Sequence, residues 1–191
     1  GLSFLSYFQH HFPQADADAL RLVDEASVRR SFARQEHVLR EGQVCHFIAY
    51  IEQGVLRTYQ LIDGQEQTLY FAQEEGWITS YYSFLTGKPS DIYIECLEDV
   101  ELVMMPKALL MDQYQTSLTA NMIGRRITER IYLEEYERRK DLLTLSASQM
   151  YEKLLHTRPE LLQRVQLQHI ASYLGIAKES LSRIRRRFSR S

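Results

Sequence analysis

Residues 167–186 constrain the fold of this chain most strongly, because they read as two short helices joined by a glycine turn. Gly175 supplies a residue that readily adopts the left-handed conformation of such a turn. Ala171 is small at the position where the two helices would cross most closely. The small core between them would be formed by Ile170, Ala171, Leu174, Ile176, Leu181 and Ile184. Residue type and spacing agree, so the segment predicts a helix-turn-helix.

The second of these helices has one apolar and one polar face. With successive residues about 100° apart, Leu181, Ile184 and Phe188 fall on one side, and the polar side chains lie opposite. Arg183 is suited to bind a guanine through two hydrogen bonds, and Glu179 to accept one from a cytosine amine. The predicted DNA contacts on and beside this polar face are Lys178, Glu179, Ser182, Arg183, Arg185, Arg186 and Arg187. The alternative is a solvated charged face on an ordinary terminal helix.

Charge is divided unevenly along the chain. The formal net charge is −2, but residues 178–191 contain six Lys or Arg and one Glu, so this segment carries +5 and the remainder −7. A basic segment attached to an acidic body favours local contact with phosphates. We therefore expect double-stranded DNA to bind this segment and not the whole surface.

Composition is that of an ordinary globular protein, with 191 residues of which 45% are hydrophobic. Cys45 and Cys96 lie in apolar, strand-like runs without CxxC spacing, which favours buried thiols in a reducing cytoplasm over a disulfide or a zinc site. No apolar run reaches membrane-spanning length. We expect a cytoplasmic protein that has no membrane contact, no metal and no cofactor.

The pattern along the chain changes from helix to strand and back to helix. Residues 4–26 look helical, with an interruption at Pro13. From about Val28 the chain becomes rich in β-branched and aromatic residues, with predicted strands at residues 38–39, 47–51, 55–61, 67–71, 92–97 and 100–105. Many short strands at close spacing predict a sandwich or barrel.

After Pro106 the pattern is helical to about Lys140, and the apolar residues of this segment fall on two sides. One side carries Leu118, Met122, Tyr132, Leu133 and Tyr136, and the other carries Ile123, Ile127 and Ile131. A helix that is apolar on two sides needs two partners. We expect one to be the strand region of the same chain and the other to be the same helix of a second subunit, which gives a homodimer. The alternative is a helix buried within a single larger domain.

A further helix is predicted from Ala147 to about His156. Ser146 followed three residues later by Gln149 is a capping-box signature. The segment 140–146 is therefore the expected hinge between the long helix and the C-terminal helices.

The order of these parts resembles the Crp/Fnr family of bacterial transcription regulators. The resemblance covers nearly the whole chain, from a strand region with turns at Gly42, Gly54 and Gly76 to a recognition helix. Its most specific part is the segment Lys178-Glu179-Ser180-Leu181-Ser182-Arg183, which matches the family pattern of a basic residue, Glu, two residues, a small residue and Arg. The resemblance implies that Lys178, Glu179 and Arg183 contact bases or phosphates.

The resemblance also implies an α+β fold with three parts. These are an antiparallel β-roll (double-stranded β-helix) sensor domain like a cyclic-nucleotide-binding domain over residues 1–115, a dimerisation helix over 116–142, and a helix-turn-helix DNA-binding domain over 143–191. It implies a homodimer that binds double-stranded DNA, contacts RNA polymerase and responds to a small-molecule effector. The chain stops at Ser191, shortly after the recognition helix, so we expect a DNA-binding domain without a full wing.

The region that binds cyclic nucleotides in the family departs from its pattern here. Within residues 76–91, Tyr81 or a neighbour stands where the family has Glu, and Ser90 with Asp91 stands near the position of an Arg-Ser pair. A carboxylate beside a bound phosphate is repulsive, so the sequence predicts that the effector is not cyclic AMP unless Lys88 substitutes for the arginine. Candidates for effector binding, which core packing would explain equally well, are Trp77, Tyr81, Tyr82, Lys88 and Ser90.

Three other functions compete with a DNA-binding regulator that has another effector. The first is a regulator that binds cyclic AMP or cyclic GMP in the β-roll, and the second is a ligand-binding regulatory module without DNA function. The third is a metal-dependent enzyme of the cupin type, which needs a His and carboxylate cluster on adjacent strands. His37 and His46 are the only histidines in the strand region, so we expect no enzyme activity. An iron-sulfur cluster is disfavoured because the chain has no N-terminal set of cysteines, and no residue pattern indicates a haem ligand.

Overall fold

The structure is a computed structural model that describes residues 1–190. It divides into two compact units, of which the first comprises Gly1–Arg57 and Phe71–Ile131 and the second comprises Thr58–Tyr70 and Tyr132–Ser191. Ser191, the last residue of the predicted 143–191 domain, lies outside the described residues. The division into functional domains at residues 115 and 142 remains a prediction.

The middle of the chain consists mainly of strands and its two ends of helices. The strands are β1 (Val28–Phe32), β2 (His37–Leu39), β3 (Phe47–Gln53), β4 (Leu56–Ile62), β5 (Gln65–Ala72), β6 (Trp77–Ile78), β7 (Tyr93–Cys96) and β8 (Val100–Pro106). The helices are α1 (Phe4–His11), α2 (Ala17–Ala26), α3 (Tyr81–Thr86), α4 (Lys107–Thr116), α5 (Leu118–Thr144), α6 (Ala147–Thr157), α7 (Pro159–Arg164), α8 (Leu167–Leu174) and α9 (Lys178–Ser189).

The strands form two four-stranded sheets, in the orders β1-β8-β3-β6 and β2-β7-β4-β5. In the first sheet β8 pairs antiparallel with β1 and with β3, and Val103 lies opposite Tyr50. Four consecutive residues of β3, from Ile48 to Ile51, are at most 2% exposed. A strand that is buried on both faces needs cover on each side. Part of this cover comes from α1, where the Phe4 ring lies 5.8 Å from that of Tyr50.

The predicted helical region at the N-terminus is confirmed, with its interruption at Pro13. α1 ends at His11, and α2 begins at Ala17 after Asp16, whose side chain accepts a hydrogen bond from the Asp18 amide. This cap satisfies one of the amide groups that a helix leaves unpaired at its N-terminus.

Three features of the chain differ from the expected pattern. β1, β6, α3 and α7 were not predicted. β6 is a two-residue strand and α3 and α7 are six-residue helices, which are too short for a periodic signal, and β1 is exposed at four of its five residues and so lacks an apolar pattern. The helix expected to continue from Pro106 is broken at Ser117, between α4 and α5. α5 continues to Thr144, so most of the expected hinge at residues 140–146 is helical, and only Leu145 and Ser146 separate α5 from α6.

The two apolar sides of α5 have different surroundings. Ile123 and Ile127 are 8% and 6% exposed and belong to the core of the first unit. On the other side, Leu118 is 88%, Tyr132 62% and Leu133 59% exposed. One of the two predicted partners is therefore the chain's own core, and the second apolar side is open except at Met122, which packs against that core.

The second unit has its own core. Ser146 caps α6 in the predicted manner, since its side chain accepts from the Gln149 amide and the Gln149 side chain accepts from the Ser146 amide. Buried apolar side chains of residues 147–189 form this core, and they include Met150, Leu154, Leu161, Val165 and Ile170.

Candidate nucleic-acid interface

The C-terminal segment forms the predicted helix-turn-helix. α8 ends at Leu174, and Gly175 follows it in the left-handed conformation with φ of +70°. The Gly175 amide donates to the carbonyls of Ala171 and Ser172, which closes the helix end. A residue with a side chain is strained at such a φ, so glycine fixes the turn that leads to α9.

Small apolar contacts hold α8 and α9 together. Ile170, Leu174, Leu181 and Ile184 are at most 6% exposed. Ala171 is 3% exposed, and its small side chain permits the close crossing. The expected core is confirmed except at Ile176, which is only half-buried. Because these contacts are close-packed, α8 and α9 are expected to move as one body.

Six of the seven predicted DNA contacts are exposed on α9, and Ser182 is half-buried. The Ser182 hydroxyl donates to the Lys178 carbonyl at 3.2 Å within the helix. Within residues 1–190, no salt bridge engages the side chains of Arg183, Arg186 or Arg187. These guanidinium groups are therefore available to an external anion, and Arg is the side chain best suited to bind phosphate or guanine through two hydrogen bonds.

The apolar side of α9 faces its own unit. Leu181 and Ile184 are buried, and the Phe188 ring lies 5.6 Å from that of Tyr151. The helix therefore presents its basic side outward. An exposed basic face on the second helix of a helix-turn-helix is the arrangement that enters a major groove.

The candidates for effector binding differ from one another in their exposure and in the residues that they contact. The Trp77 ring packs against Tyr50, at 5.3 Å between centroids, and against Phe8 of α1 at 5.6 Å. The Tyr81 hydroxyl lies 2.6 Å from that of Thr128. Tyr82 is 58% exposed, and Lys88 is exposed as well. Trp77 is thus part of an aromatic cluster in the core, and a role of these residues in binding an effector remains a prediction.

Ser90, which the sequence places near the family's Arg-Ser pair, is buried. Ser90 is 2% exposed, and its hydroxyl lies 2.8 Å from that of Ser80 and donates to the Ile92 carbonyl at 2.9 Å. Asp91 beside it is exposed. The hydroxyl of Ser90 is therefore already used within the protein, and the adjacent charge has the wrong sign for a phosphate.

The first unit contains an apolar cavity of about 30 Å³, the room that one or two water molecules take. It lies between α1, α2, α4 and α5 and is lined by Phe8, Leu20, Leu110, Ile123 and other apolar residues. None of the five effector candidates lines it. A nucleotide does not fit a space of this size.

Sequence analysis missed a buried ion pair in the strand region. Arg57 on β4 is 1% exposed, and its Nε donates to a carboxylate oxygen of Glu95 on β7 at 2.7 Å. The signal was an arginine in an apolar run, Val55-Leu56-Arg57. A buried arginine needs a paired anion, but the sequence does not indicate which carboxylate supplies it.

Within residues 1–190, no group of three or more His, Cys, Asp or Glu is placed to hold a metal ion. Cys45 and Cys96 are buried and free, as the sequence predicts. Burial raises the pKa of the Cys96 thiol to about 12, which keeps it protonated and unreactive. None of the helices described here is long and apolar enough to cross a bilayer.

Residues 29–117 match the family described as cyclic nucleotide-binding domain. No curated protein matches the sequence of the chain.

Solved structures with the same fold cover nearly the whole chain. A c-di-GMP-responsive global regulator of Xanthomonas campestris is 20% identical, with a TM-score of 0.73 over 91% of this chain and 92% of that one. A protein of Eubacterium rectale that is assigned to the Crp/Fnr family of transcriptional regulators is 16% identical, with a TM-score of 0.74 over 96% and 87%. The catabolite activator protein of Thermus thermophilus is 18% identical, with a TM-score of 0.57 over 97% and 87%. These likenesses show the fold.

Proposed function

We propose, from a chain that has the Crp/Fnr fold and a cyclic nucleotide-binding domain at residues 29–117, that this protein is a homodimeric, sequence-specific DNA-binding transcription regulator. The observation that carries the proposal is the exposed basic face of α9 on a well-packed helix-turn-helix. The protein then acts in the cytoplasm, has no catalytic chemistry, and contacts RNA polymerase at the promoters that it regulates.

The open side of α5 supports the homodimer. Tyr132, Leu133, Tyr136 and Leu143 lie on this side and are 42–80% exposed. An apolar stripe on a 27-residue helix is suited to pack against the same stripe of a second copy, because a two-fold interface brings one surface against itself. The dimer would place two recognition helices on one DNA molecule.

Two recognition helices read DNA together only at a suitable spacing. Successive major grooves on one face of the duplex are about 34 Å apart. A dimer that holds its α9 helices at this distance binds both half-sites, and the second contact is strengthened by the first. The expected operator is therefore an inverted repeat with half-site centres about 10 base pairs apart, or a multiple of that distance.

Selection from a randomised double-stranded DNA library tests the proposal. The protein is incubated with the library, and the retained DNA is sequenced after several rounds. We expect enrichment of an inverted repeat. Retention of DNA without any enriched sequence, or no retention at all, would favour the ligand-binding module without DNA function.

A pair of charge-matched variants assigns the binding to α9. The variant Arg183→Ala/Arg186→Ala removes two positive charges from the exposed face of α9, whereas Arg21→Ala/Arg34→Ala removes two exposed charges elsewhere. We expect the first variant to lose at least about 30-fold in affinity for the selected DNA, since two base or phosphate contacts of about 1 to 3 kcal/mol each contribute at least about 2 kcal/mol together. The second should bind like the unmodified protein. Equal losses would indicate a general effect of net charge.

The effector is a separate part of the proposal. Ser90 and Asp91 near the position of the phosphate-binding pair argue against cyclic AMP as the effector. The match of residues 29–117 to the cyclic nucleotide-binding domain favours the alternative, in which cyclic AMP or cyclic GMP binds through other residues. Lys88 is then the cation to test, because it is exposed and close in sequence to this position.

Titration calorimetry with cyclic AMP, cyclic GMP and cyclic di-GMP distinguishes the two forms of the proposal. Cyclic di-GMP is included because one protein of the same fold responds to it. We expect no saturable heat with cyclic AMP at micromolar concentrations. Saturable binding that is lost in Lys88→Ala would establish the cyclic-nucleotide-responsive regulator, and the selected DNA added with each nucleotide would show whether the ligand changes DNA affinity.

A further inference from the structure

The hairpin formed by β4 and β5 reaches the DNA-binding helices. Its turn lies at Asp63 and Gly64, which have φ of +52° and +78°. Two successive positive φ angles are typical of the tight turns that suit the twist of a hairpin. Residues 58–70 of this hairpin belong to the second unit, whereas both strands continue along the chain into residues of the first.

Ser172 of α8 is the centre of a polar contact with β5. Its hydroxyl donates to the Glu66 carbonyl and accepts from the Thr68 amide, both at 2.9 Å. The Thr68 hydroxyl lies 2.9 Å from the same oxygen. The Gln67 side-chain amide donates to the Ser172 carbonyl, also at 2.9 Å. A serine hydroxyl can donate one hydrogen bond and accept two. β5 alone supplies all three partners of the Ser172 hydroxyl.

Arg138 of α5 joins the same strand to α8. It is 4% exposed, and its Nη2 donates to the Thr68 carbonyl at 2.9 Å and to the Tyr173 carbonyl at 2.6 Å. Its guanidinium carbon lies 3.6 Å from the centre of the Tyr173 ring. Two residues further along β5, Tyr70 forms a hydrogen bond with Glu135. The contact therefore has three members: β5, the C-terminal half of α5, and α8.

The chemistry of this contact suits reversible opening. Its bonds join main-chain groups, hydroxyls, the Gln67 side-chain amide and the Arg138 guanidinium, and water can replace each of them. Burial lowers the pKa of the Arg138 guanidinium, because a buried charge is less well solvated than in water. When the contact opens, Arg138 regains its hydration, and this gain offsets part of the loss of hydrogen bonds. A tightly packed apolar contact has no comparable compensation.

We infer that Glu66, Gln67, Thr68, Arg138 and Ser172 form a latch through which the β4–β5 hairpin sets the orientation of the recognition helix. The inference rests on the proposed DNA-binding function and concerns its regulation. α8 and α9 share one core, so a hairpin that holds α8 also holds α9. In a dimer, the orientation of α9 decides whether both half-sites are reached. The latch therefore affects DNA with two half-sites much more than DNA with one.

A reversible disulfide across the latch tests this inference. The hydroxyl oxygens of Thr68 and Ser172 are 2.9 Å apart, and a disulfide joins its sulfurs at about 2.05 Å, so the double variant Thr68→Cys/Ser172→Cys closes with a small adjustment. Because Cys45 and Cys96 are buried, the single variant Ser172→Cys controls for the oxidant. Mass spectrometry confirms closure, and affinity for DNA with two half-sites and with one is measured in the oxidised and the reduced protein.

We expect the affinity for DNA with two half-sites to differ at least about tenfold between the oxidised and reduced double variant, with less than about twofold change for one half-site. The direction of the change shows whether the latched state is the one that binds DNA. Equal affinities in both forms, while the unmodified protein binds the selected DNA, would overturn the latch alone. Failure of the unmodified protein to bind any selected DNA would overturn the proposed function, and the latch as its regulator with it.

A second variant keeps the inference testable if the disulfide does not form. Ser172→Ala removes the hydroxyl to which the Thr68 amide donates, and we expect hydrogen exchange of that amide to become at least about tenfold faster and the affinity for two half-sites to change. Ser172→Thr retains the hydroxyl and should restore both. Thr144→Ala is the control, because its hydroxyl donates to the Lys140 carbonyl within α5. An unchanged exchange rate and affinity in Ser172→Ala would contradict the latch.

Discussion

Gly54, between β3 and β4, is the position where a single methyl group should destabilise the first unit most clearly. Its φ is +103°, and a Cβ at this position would lie 2.6 Å from the Asp99 carbonyl oxygen, 3.0 Å from the Val100 Cα and 2.5 Å from a Val100 methyl carbon. Two of these three atoms are main-chain atoms, so they cannot rotate away. Gly54→Ala therefore suffers both a strained φ and a steric overlap.

The magnitude follows from these two costs. A side chain at positive φ costs about 1 to 2 kcal/mol, and overpacking against fixed neighbours adds about 1 to 3 kcal/mol. Gly42→Ala is the matched control, because Gly42 has a φ of +92° but no atom lies within 4 Å of the place that a methyl carbon would take. We expect Gly42→Ala to suffer only the first of the two costs. The two variants should then differ by about 1 to 3 kcal/mol in their free energy of unfolding.

Urea denaturation followed by Trp77 fluorescence measures this difference, since Trp77 is the only tryptophan and lies in the first unit. With a slope of about 2 kcal/mol per molar urea, the midpoint of Gly54→Ala should lie about 0.5 to 1.5 M below that of Gly42→Ala. Equal midpoints would refute the steric part of the reasoning and show that the segment at Asp99 yields without cost.

Other expectations concern the DNA contacts, the dimer and a helix cap. Arg183→Ala should cost about 1 to 3 kcal/mol on the selected DNA and relax specificity at one base pair, whereas Arg187→Ala should weaken binding to all sequences alike; equal losses of Arg183→Ala on selected and random DNA would contradict its assignment. Leu133→Asp should shift sedimentation from dimer to monomer, because it places a charge in the open apolar side of α5. The control variant Leu22→Asp changes a similarly exposed leucine on α2 and should remain dimeric. Ser146→Ala should lower the free energy of unfolding by about 1 kcal/mol through loss of the capping box, measured by circular dichroism; a change below about 0.2 kcal/mol would mean that the cap is not needed.

The helix-turn-helix could be predicted because its determinants are local. Gly175 and the apolar residues on either side of it lie close together in the sequence, and both the turn and the small core depend on their spacing alone. The capping box at Ser146 is equally local, and the structure confirms it. The buried side of α5 was predicted from its 3.6-residue period, which is a property of one helix.

Contacts between distant parts of the chain could not be predicted in this way. Trp77 packs against Tyr7 of α1 as part of an aromatic cluster, although the sequence around Trp77 allowed a ligand pocket equally well. The bond between Thr68 and Ser172 joins residues 104 positions apart. Neither sequence segment indicates its partner, because serine and threonine hydroxyls bond in many surroundings.

The ion pair of Arg57 and Glu95 has a consequence for how this fold changes during evolution. Loss of either residue alone removes the 2.7 Å ion pair from a buried site, at a cost of about 3 to 5 kcal/mol, whereas replacement of both by apolar residues is close to neutral. An apolar pair at these two positions is therefore reached only when both residues change together, because each single substitution destabilises the protein. Among descendants of this sequence we expect positions 57 and 95 to be inherited together or exchanged together, so that the pair serves as a mark of common ancestry.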